Sequence, residues 1–337
     1  MRRRQTGKYG FPRQSADWLG MTRRLLCSVI AALLAVALCG CGANVQETDK
    51  VQVVCTLFPY YDFAKTIGGE NVEVTLLVAA GKEAHSFEPT PLDVIRLSKA
   101  DVFLYNGGES EAWVQDILDA AGENIGVTAA MMPLVDLAEE EYVEGMQVSG
   151  EAEEDEADEA EIEYDEHIWT SPRLSMEICR GICEALCQAD PVHTAAYQQR
   201  LTAYLDELDA LDLAFRQVVD GAARHMLIFG DRFPLLYFAK TYGLDYRAAF
   251  HGCASDTEPS LSTLKYLIDK VNAEQIPAIY TIELSNQKIA QAIAETTGAA
   301  VLTFHSCQTV SREEFENGET YLSLMQRNVE ALREGLN

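Results

Sequence analysis

Three of the six histidines stand at places in the sequence where a binding site is commonly built. His85 follows the apolar run Val72–Gly81, His167 ends an acidic tract in the phrase DEHIW, and His305 ends the apolar phrase VLTFH. A neutral imidazole is the commonest side-chain ligand of transition metals in proteins. Taken alone, a histidine such as His85 is more often an ordinary residue of a surface loop.

The chain around these histidines alternates strand-like and helical patterns in each of its two halves. The strand-like runs are VQVVCTLFP, VEVTLLVAAG and DVFLYNGG in the first half, and ARHMLIFG, LDYRAAF, IPAIYTIE and AAVLTF in the second. Strands that alternate with helices predict parallel sheets. Parallel sheets bind ligands beyond the carboxyl ends of their strands, and both His85 and His305 occupy that position.

One long amphipathic helix is predicted between the two halves. From Asp190 to Asp220, apolar residues recur at alternating steps of four and three, which places one apolar stripe along a helix. Asp190 and Pro191 suit its first turn, and Gly221 follows its end. We interpret this helix as a rigid strut between two lobes, although a long helix inside a single domain is the alternative.

These patterns define the fold class and the domains that we expect. The fold class is α/β, with two Rossmann-like (βα) lobes whose parallel sheets are joined by a long rigid α-helix. The predicted N-terminal lobe covers residues 51–189, the connecting helix residues 190–222, and the C-terminal lobe residues 223–337.

The composition excludes some classes of partner. The 337 residues carry a net charge of −27, and a protein that binds nucleic acid needs charge of the opposite sign. An acidic protein can instead concentrate cations around itself. We expect the protein to be a monomer.

An acidic tract over residues 139–166 contains fifteen Asp and Glu residues and no Lys or Arg. Such a charge block cannot pack as a core does, so the sequence predicts a disordered loop. The tract leads directly to His167, which suits a flexible polyanion that collects cations weakly. A solvated insertion without such a role is the alternative.

The N-terminus carries a secretory signal over residues 1–40. Two arginines precede the apolar run Leu25–Leu38, which is too short to span a membrane, and Met21 is the expected true start. The tetrapeptide that ends in Cys41 resembles a bacterial lipobox, which implies a lipid on its thiol and a tether over residues 41–50. The alternative is an uncleaved membrane anchor; both place the folded part outside the cytoplasm, at a membrane.

Six cysteines remain in the mature chain besides those of the signal region. Cys179, Cys183 and Cys187 lie four residues apart on one helical face, which is a poor arrangement for a strain-free disulfide. We interpret them as small buried apolar residues, with a thiolate metal site as the alternative. An extracytoplasmic location makes a disulfide between Cys253 and Cys307 plausible.

At HSFEPTPLD and DEHIWTSP the sequence resembles the solute-binding lipoproteins of zinc and manganese ABC importers, the ZnuA/TroA-like class. The resemblance extends from about Val51 to Asn337 and includes YFAKTYGL, the triplet EPS and the ending GETYLSLMQRNVEAL. It implies two (βα) lobes that hold one metal ion in the cleft between them. It also implies two partners: a membrane permease and the cytoplasmic ATPase that powers it.

The same resemblance implies a set of metal ligands. His85 and His167 match the first and second ligands of the family, and His305 falls where the family has an acidic ligand. The remaining ligand position falls in IFGDRF, where Gly230 or Arg232 occupies the place of a histidine or glutamate. Asp231 is the one candidate nearby, unless it pairs with Arg232.

The donor types favour Zn²⁺ as the transported ion. Three imidazoles and one carboxylate suit a near-tetrahedral zinc site. Mn²⁺ is also possible, although it prefers more oxygen donors. Among the other polar residues near strand ends, His251 is a weaker ligand candidate, and Glu258 and Glu283 are expected to make structural pairs.

Three functions are compared. The first is a transport receptor that captures Zn²⁺ and performs no reaction. The second, an adhesin or a manganese receptor of the same fold, rests on the resemblance alone. The third, a zinc hydrolase, is favoured only by the missing fourth ligand, because the sequence has neither HExxH nor a nucleophile elbow. We therefore predict a protein that is not an enzyme.

Overall fold

A computed structural model describes residues 50–85, 87–121, 125–147, 163–252 and 258–337. The signal region, Met21 and Cys41 lie outside these residues, and so do Cys253 and residues 148–162 of the acidic tract. No helix in the described ranges is long and apolar enough to cross a membrane.

The first half folds around a parallel sheet of four strands in the order β2-β1-β3-β4. The strands are β1 (Val51–Cys55), β2 (Val72–Leu76), β3 (Val102–Tyr105) and β4 (Val127–Ala130). Helices α1 (Phe58–Gly68), α2 (Pro91–Leu97) and α3 (Trp113–Ala121) connect them. The short edge strand β4 was not predicted, because VTAA has neither a long apolar run nor clear alternation.

The second half repeats this arrangement with the strand order β6-β5-β7-β8, again parallel. Its strands are β5 (Met226–Phe233), β6 (Asp245–His251), β7 (Ala278–Thr281) and β8 (Ala300–Thr303). The helices between them are α6 (Leu236–Tyr242), α7 (Leu261–Glu274) and α8 (Lys288–Thr297). The two halves therefore share one topology, which confirms the predicted fold class.

Helix α4 (Pro172–Ala189) leads to the predicted long helix, α5 (Thr194–Asp220). A 3₁₀ turn (Pro191–His193) separates the two, so α5 begins slightly later than predicted. The 27 residues of α5 give a length of about 40 Å at 1.5 Å per residue. Asp190 fixes the start, because its carboxylate accepts a hydrogen bond from the hydroxyl of Tyr197 at 2.7 Å.

The apolar stripe of α5 is buried against elements of both halves. It packs on α1 and α4 from the first half, and on α6 and the final helix α10 (Tyr321–Gly335) from the second. A short helix, α9 (Arg312–Glu316), precedes α10. Residues 49–337 together form one compact unit, so the boundaries of the two predicted lobes remain predictions.

The prediction of disorder for the acidic tract is wrong at both of its ends. Residues 139–147 and 163–166 are placed, and Glu139 pairs with Tyr164 in an antiparallel bridge. Charge does not prevent packing here, because partners on the second half satisfy it: Lys240 lies 2.7 Å from Glu141, and His251 lies 2.9 Å from Glu140. Asp165 and Glu166 are buried.

The cysteines of α4 agree with the prediction in part. Cys179 and Cys183 are buried, as expected for small apolar residues, whereas Cys187 is half-buried. The sulfur atoms of Cys183 and Cys187 lie 4.0 Å apart. Cys307 is fully buried, and its predicted bridge to Cys253 stays a prediction because Cys253 lies outside the described residues.

Candidate metal centre

The structure brings His85 and His167 together. Their ring centroids lie 5.6 Å apart, although the two residues are 82 positions apart in the sequence. His85 lies in the loop after β2, and His167 directly precedes the 3₁₀ turn Ile168–Thr170 before α4. His167 is completely buried, and His85 is half-buried. Two imidazole rings in contact beside a parallel sheet can supply two of the ligands of a metal site.

Asp165 orients the ring of His167. Its carboxylate oxygen Oδ1 accepts a hydrogen bond from the backbone N–H of His167 at 2.8 Å and lies 3.3 Å from ring nitrogen Nδ1. The hydroxyl of Tyr237 donates to the carbonyl oxygen of Asp165 at 2.8 Å and fixes that segment in turn. A carboxylate behind a histidine is the usual arrangement in metal sites, because it holds the tautomer and raises the basicity of the ring.

The other ring nitrogen, Nε2 of His167, is buried and has no hydrogen-bond partner among the residues that the structure describes. A proton on Nδ1, beside Asp165, leaves Nε2 with a free lone pair. A buried polar atom without a partner costs free energy unless another group binds it. The lone pair of Nε2 is therefore available to a metal ion.

The two rings differ in how readily they take up a proton. Burial lowers the pKa of His85 to about 4, and the neighbouring His167 and Arg232 act in the same direction, against Glu83 and Glu140. Burial also lowers the pKa of His167, but Asp165, Glu140 and Glu166 outweigh it, so the net shift is upward from the ordinary value. His85 is thus neutral over the whole physiological range, whereas His167 competes with protons.

We therefore expect metal affinity to weaken in acid with the loss of one proton-sensitive ligand. As the pH falls below the raised pKa of His167, the apparent Kd should rise by about tenfold per pH unit, because one proton must leave for each ion bound. Protonation of His85 should add to this slope only near pH 4. Calorimetric titrations between pH 7.5 and 5 test this. A slope of a hundredfold per unit would contradict a single proton-sensitive ligand and would indicate a second one, such as His305, whose pKa is lowered by burial but raised overall by the nearby Glu283 and Glu314.

Gln308 and Arg232 complete the surroundings of His85. The side-chain nitrogen of Gln308 donates a hydrogen bond to Nε2 of His85 across 3.1 Å. The guanidinium of Arg232 pairs with Glu83 at 2.9 Å, and Glu83 also accepts a hydrogen bond from the backbone of His85. These contacts connect the histidine loop of the first half to the second half of the chain.

The structure places His305 in different surroundings. Its ring nitrogen Nδ1 accepts a hydrogen bond from the backbone of Cys307 at 2.9 Å, so the neutral ring carries its proton on Nε2. That nitrogen lies 3.8 Å from a carboxylate oxygen of Glu314. His305 lines a pocket of about 420 Å³ with several acidic residues, Glu283, Glu313, Glu314 and Glu319 among them.

Asp231 and Gly230 form an irregular point in strand β5. Phe229 pairs with Ala248, but Arg232 pairs with Phe250, so two residues of β5 stand opposite one residue of β6. The carboxylate of Asp231 accepts a hydrogen bond from the backbone N–H of Arg232 at 2.9 Å. Burial raises the pKa of Asp231, while hydrogen bonds from Ser285 and Arg232 oppose the increase. Asp231 and Arg232 are therefore paired through the backbone N–H of Arg232, while the guanidinium of Arg232 pairs with Glu83.

The four predicted ligands do not form one cluster. Across the described parts of the chain, no three His, Cys, Asp or Glu side chains are placed to hold an ion together. His85 and His167 meet, whereas His305 lies with Glu283 and Glu314, and the roles of His305 and Asp231 as ligands stay predictions. The expectation of a structural pair holds for Glu283, which accepts hydrogen bonds from the backbone and hydroxyl of Ser306.

Sequence reasoning missed three residues around the histidine pair. The role of Asp165 had a visible signal, since an acid two positions before a histidine can reach its ring. Gln308 and Glu140 had no such signal in the sequence, because Gln308 is an ordinary amide residue and Glu140 is one of fifteen acidic residues in its tract. Their positions follow only from the tertiary structure.

Comparisons with known proteins place this arrangement in a family. A sequence profile described as zinc-uptake complex component A, periplasmic (ZnuA), matches residues 53–335. The chain is 30% identical over 317 residues to the high-affinity zinc uptake system protein ZnuA of Bacillus subtilis, covering 91% of this chain and 96% of that protein. It is 29% identical over 314 residues to the zinc-binding lipoprotein AdcA of Streptococcus pneumoniae, and it spans 60% of the length of AdcA.

Solved structures agree with the fold. The Zn(II)-bound ZnuA-like domain of Streptococcus pneumoniae AdcA matches with a TM-score of 0.68 at 26% identity, over 85% of this chain and 99% of that one. The laminin-binding protein Lmb of Streptococcus agalactiae, described as having adhesin and metal-transporting activity, matches with a TM-score of 0.71 at 27% identity, over 86% of this chain and all of that one. The chain belongs to the family of zinc-uptake complex component A, whose members are solute-binding proteins of metal transport.

Proposed function

We propose that this protein captures Zn²⁺ outside the cytoplasm and delivers it to the permease of an ABC importer that a cytoplasmic ATPase powers. The observation that carries the proposal is the buried, unpartnered Nε2 of His167, in a ring that Asp165 orients and whose centroid lies 5.6 Å from that of His85. The zinc-binding relatives support the same ion. In this role the protein binds and releases its cargo unchanged, so we expect no catalysis.

The ion would be held first by His167 through Nε2 and by His85, whose Nε2 would exchange its hydrogen bond from Gln308 for the ion. Two imidazoles leave part of a tetrahedral coordination shell open. The predicted ligands His305 and Asp231, a water molecule, or both would fill the remaining positions. For His305 to bind through Nε2, the ring proton that faces Glu314 would have to move to Nδ1, and the hydrogen bond from the backbone of Cys307 would be lost.

We further propose that a lipid on Cys41 anchors the mature protein to the membrane and that it acts as a monomer. The description of AdcA as a lipoprotein supports the anchor. The acidic tract beside His167 would attract cations to the site, and this attraction should weaken with salt.

Preference for zinc over manganese tests the proposed function directly. Imidazole donors favour Zn²⁺, whereas Mn²⁺ needs more oxygen ligands, so the protein should bind one Zn²⁺ tightly and Mn²⁺ more weakly. Calorimetry with each ion on metal-free mature protein, together with elemental analysis of protein purified without added metal, measures this. Tighter binding of Mn²⁺ would favour the manganese receptor, and absence of any tight site would contradict transport of either ion.

An adhesin is the second candidate, because the chain also resembles the laminin-binding protein Lmb. That function predicts saturable binding of the mature protein to immobilised laminin. Zinc binding without laminin binding would leave transport as the sole function.

A further inference from the structure

The first residues of the acidic tract form a strap that joins the two halves of the protein. We define the strap as residues 138–147. Its beginning is paired with the end of the tract through two backbone hydrogen bonds. The N–H of Asp165 donates to the carbonyl oxygen of Ala138 at 3.0 Å, and the N–H of Glu140 donates to that of Glu163 at 2.9 Å. The beginning and the end of the tract are therefore hydrogen-bonded to each other.

The rest of the strap lies on the second half. The carboxylate of Glu141 lies 2.7 Å from the ammonium of Lys240, and the hydroxyl of Tyr266 donates to Glu144 at 3.0 Å. The backbone N–H of Gln147 donates to the carbonyl of Ala249 in β6 at 3.0 Å. The strap therefore contacts β6 at two points, Ala249 through Gln147 and His251 through Glu140.

Among the acidic residues of the strap, Glu140 is the one whose side chain is buried. Its side chain is 6% exposed, compared with 44% for that of Glu141. Its oxygen Oε1 accepts two hydrogen bonds, one from Nδ1 of His251 at 2.9 Å and one from the backbone N–H of Gly252 at 3.1 Å. One carboxylate of the strap thus holds the last residue of β6 and the residue that follows it.

Gly252 in turn covers the ring of His167. A Cβ atom at this position would stand 3.1 Å from Cε1 and 3.2 Å from Nδ1 of His167, so a glycine allows the closest approach of the backbone to the ring. The contacts run without a break from Glu140 through Gly252 to the proposed metal ligand. His167 is completely buried beneath them.

We propose that Glu140 is a positioning residue for metal binding, which anchors His251 and holds Gly252 over His167 and so slows the release of the bound ion. This inference rests on the proposed function. The carboxylate acts through the backbone that it anchors, and no bond to the metal is required. Because Glu140 belongs to the acidic tract and Gly252 to the second half, the tract ties the two halves together at the site.

The kinetics of zinc release test the proposal. Mature protein loaded with Zn²⁺ is mixed with excess chelator, and the release rate is followed by stopped flow. Glu140→Ala should release zinc about tenfold faster or more, because the loss of a buried charged hydrogen-bond partner acts mainly on dissociation. Glu140→Gln keeps an acceptor for Gly252 and should lie between Ala and the parent protein. His251→Ala removes one of the two anchors and should also speed release.

Glu141→Ala is the matched control. It removes the same charge one residue later, and its exposed pair with Lys240 should matter little. Its release rate should stay within about twofold of the parent rate, since surface ion pairs contribute little. If Glu140→Ala and Glu141→Ala have equal rates, charge alone explains the effect and the proposal is wrong. Unchanged release from Glu140→Ala also overturns it.

Hydrogen exchange of the Gly252 amide gives a readout that needs no metal. In metal-free protein this amide should exchange faster in Glu140→Ala than in the parent, while amides in α5 keep their protection as evidence of folding. If the parent protein binds no zinc, the proposed function fails, yet this measurement still decides whether Glu140 anchors Gly252. Equal exchange in both proteins would show that it does not.

Discussion

Replacement of His167 by alanine should weaken zinc binding by more than about a hundredfold. Loss of a residue that only orients a metal ligand costs about 10- to 100-fold in affinity, and loss of the ligand itself should exceed that range. Asp165→Asn is the graded companion, since it keeps the size of the side chain that orients His167 and should fall within the 10- to 100-fold range. Competition with a fluorescent zinc chelator measures both affinities.

His225→Ala is the control for this series. His225 is exposed just before β5 and has no proposed role in the site, so its removal should leave zinc affinity unchanged. If His167→Ala binds zinc as tightly as the His225 variant does, the histidine pair is not the metal site. A loss in Asp165→Asn as large as that in His167→Ala would instead make Asp165 a direct ligand.

Replacement of Phe215 by alanine should give the largest loss of stability, about 3–5 kcal/mol of unfolding free energy, as for other fully buried aromatic residues. Phe215 lies in the last two turns of α5 and is completely buried. Its ring contacts those of Phe238 and Tyr242, with centroids 4.9 and 5.4 Å away. The substitution therefore opens a cavity where the connecting helix meets the second half.

Leu213→Ala provides the comparison on the same helix. Its side chain is 53% exposed, so its removal should cost about 0.5 kcal/mol or less. Urea unfolding of the metal-free variants, followed by circular dichroism, gives both values. Equal losses at the two positions would mean that α5 is not held by its buried stripe.

Much of the fold was predictable because apolar periodicity is a local property. The stripe of α5 and most strands were visible in the sequence, and a parallel sheet follows once strands and helices alternate. Strand β4 escaped because its four residues are only half-buried or exposed. The ordered ends of the acidic tract were not predicted for another reason. They are held by contacts with Lys240 and His251, which lie about a hundred residues away in the sequence.

The site was predictable to the extent that single residues carry its chemistry. His85 and His167 could be identified from their contexts, and the structure brings their rings together. The environment of His305 was not visible, because the backbone N–H of Cys307 decides which ring nitrogen holds the proton. The environment of Arg232 was not visible in the sequence either. It depends on the extra residue in β5 and on the partner Glu83, which belong to different halves of the fold.

The unbroken helix α5 has a consequence for how a membrane partner could recognise a loaded protein. Between Thr194 and Asp220 there is neither glycine nor proline, and sharp bends in helices almost always need such residues or a local defect. A large rotation of one half of the protein relative to the other about α5 is therefore disfavoured. The metal-bound and metal-free forms should have nearly the same overall shape. The permease would then have to sense small local differences at the rim of the cleft instead of a change in overall shape.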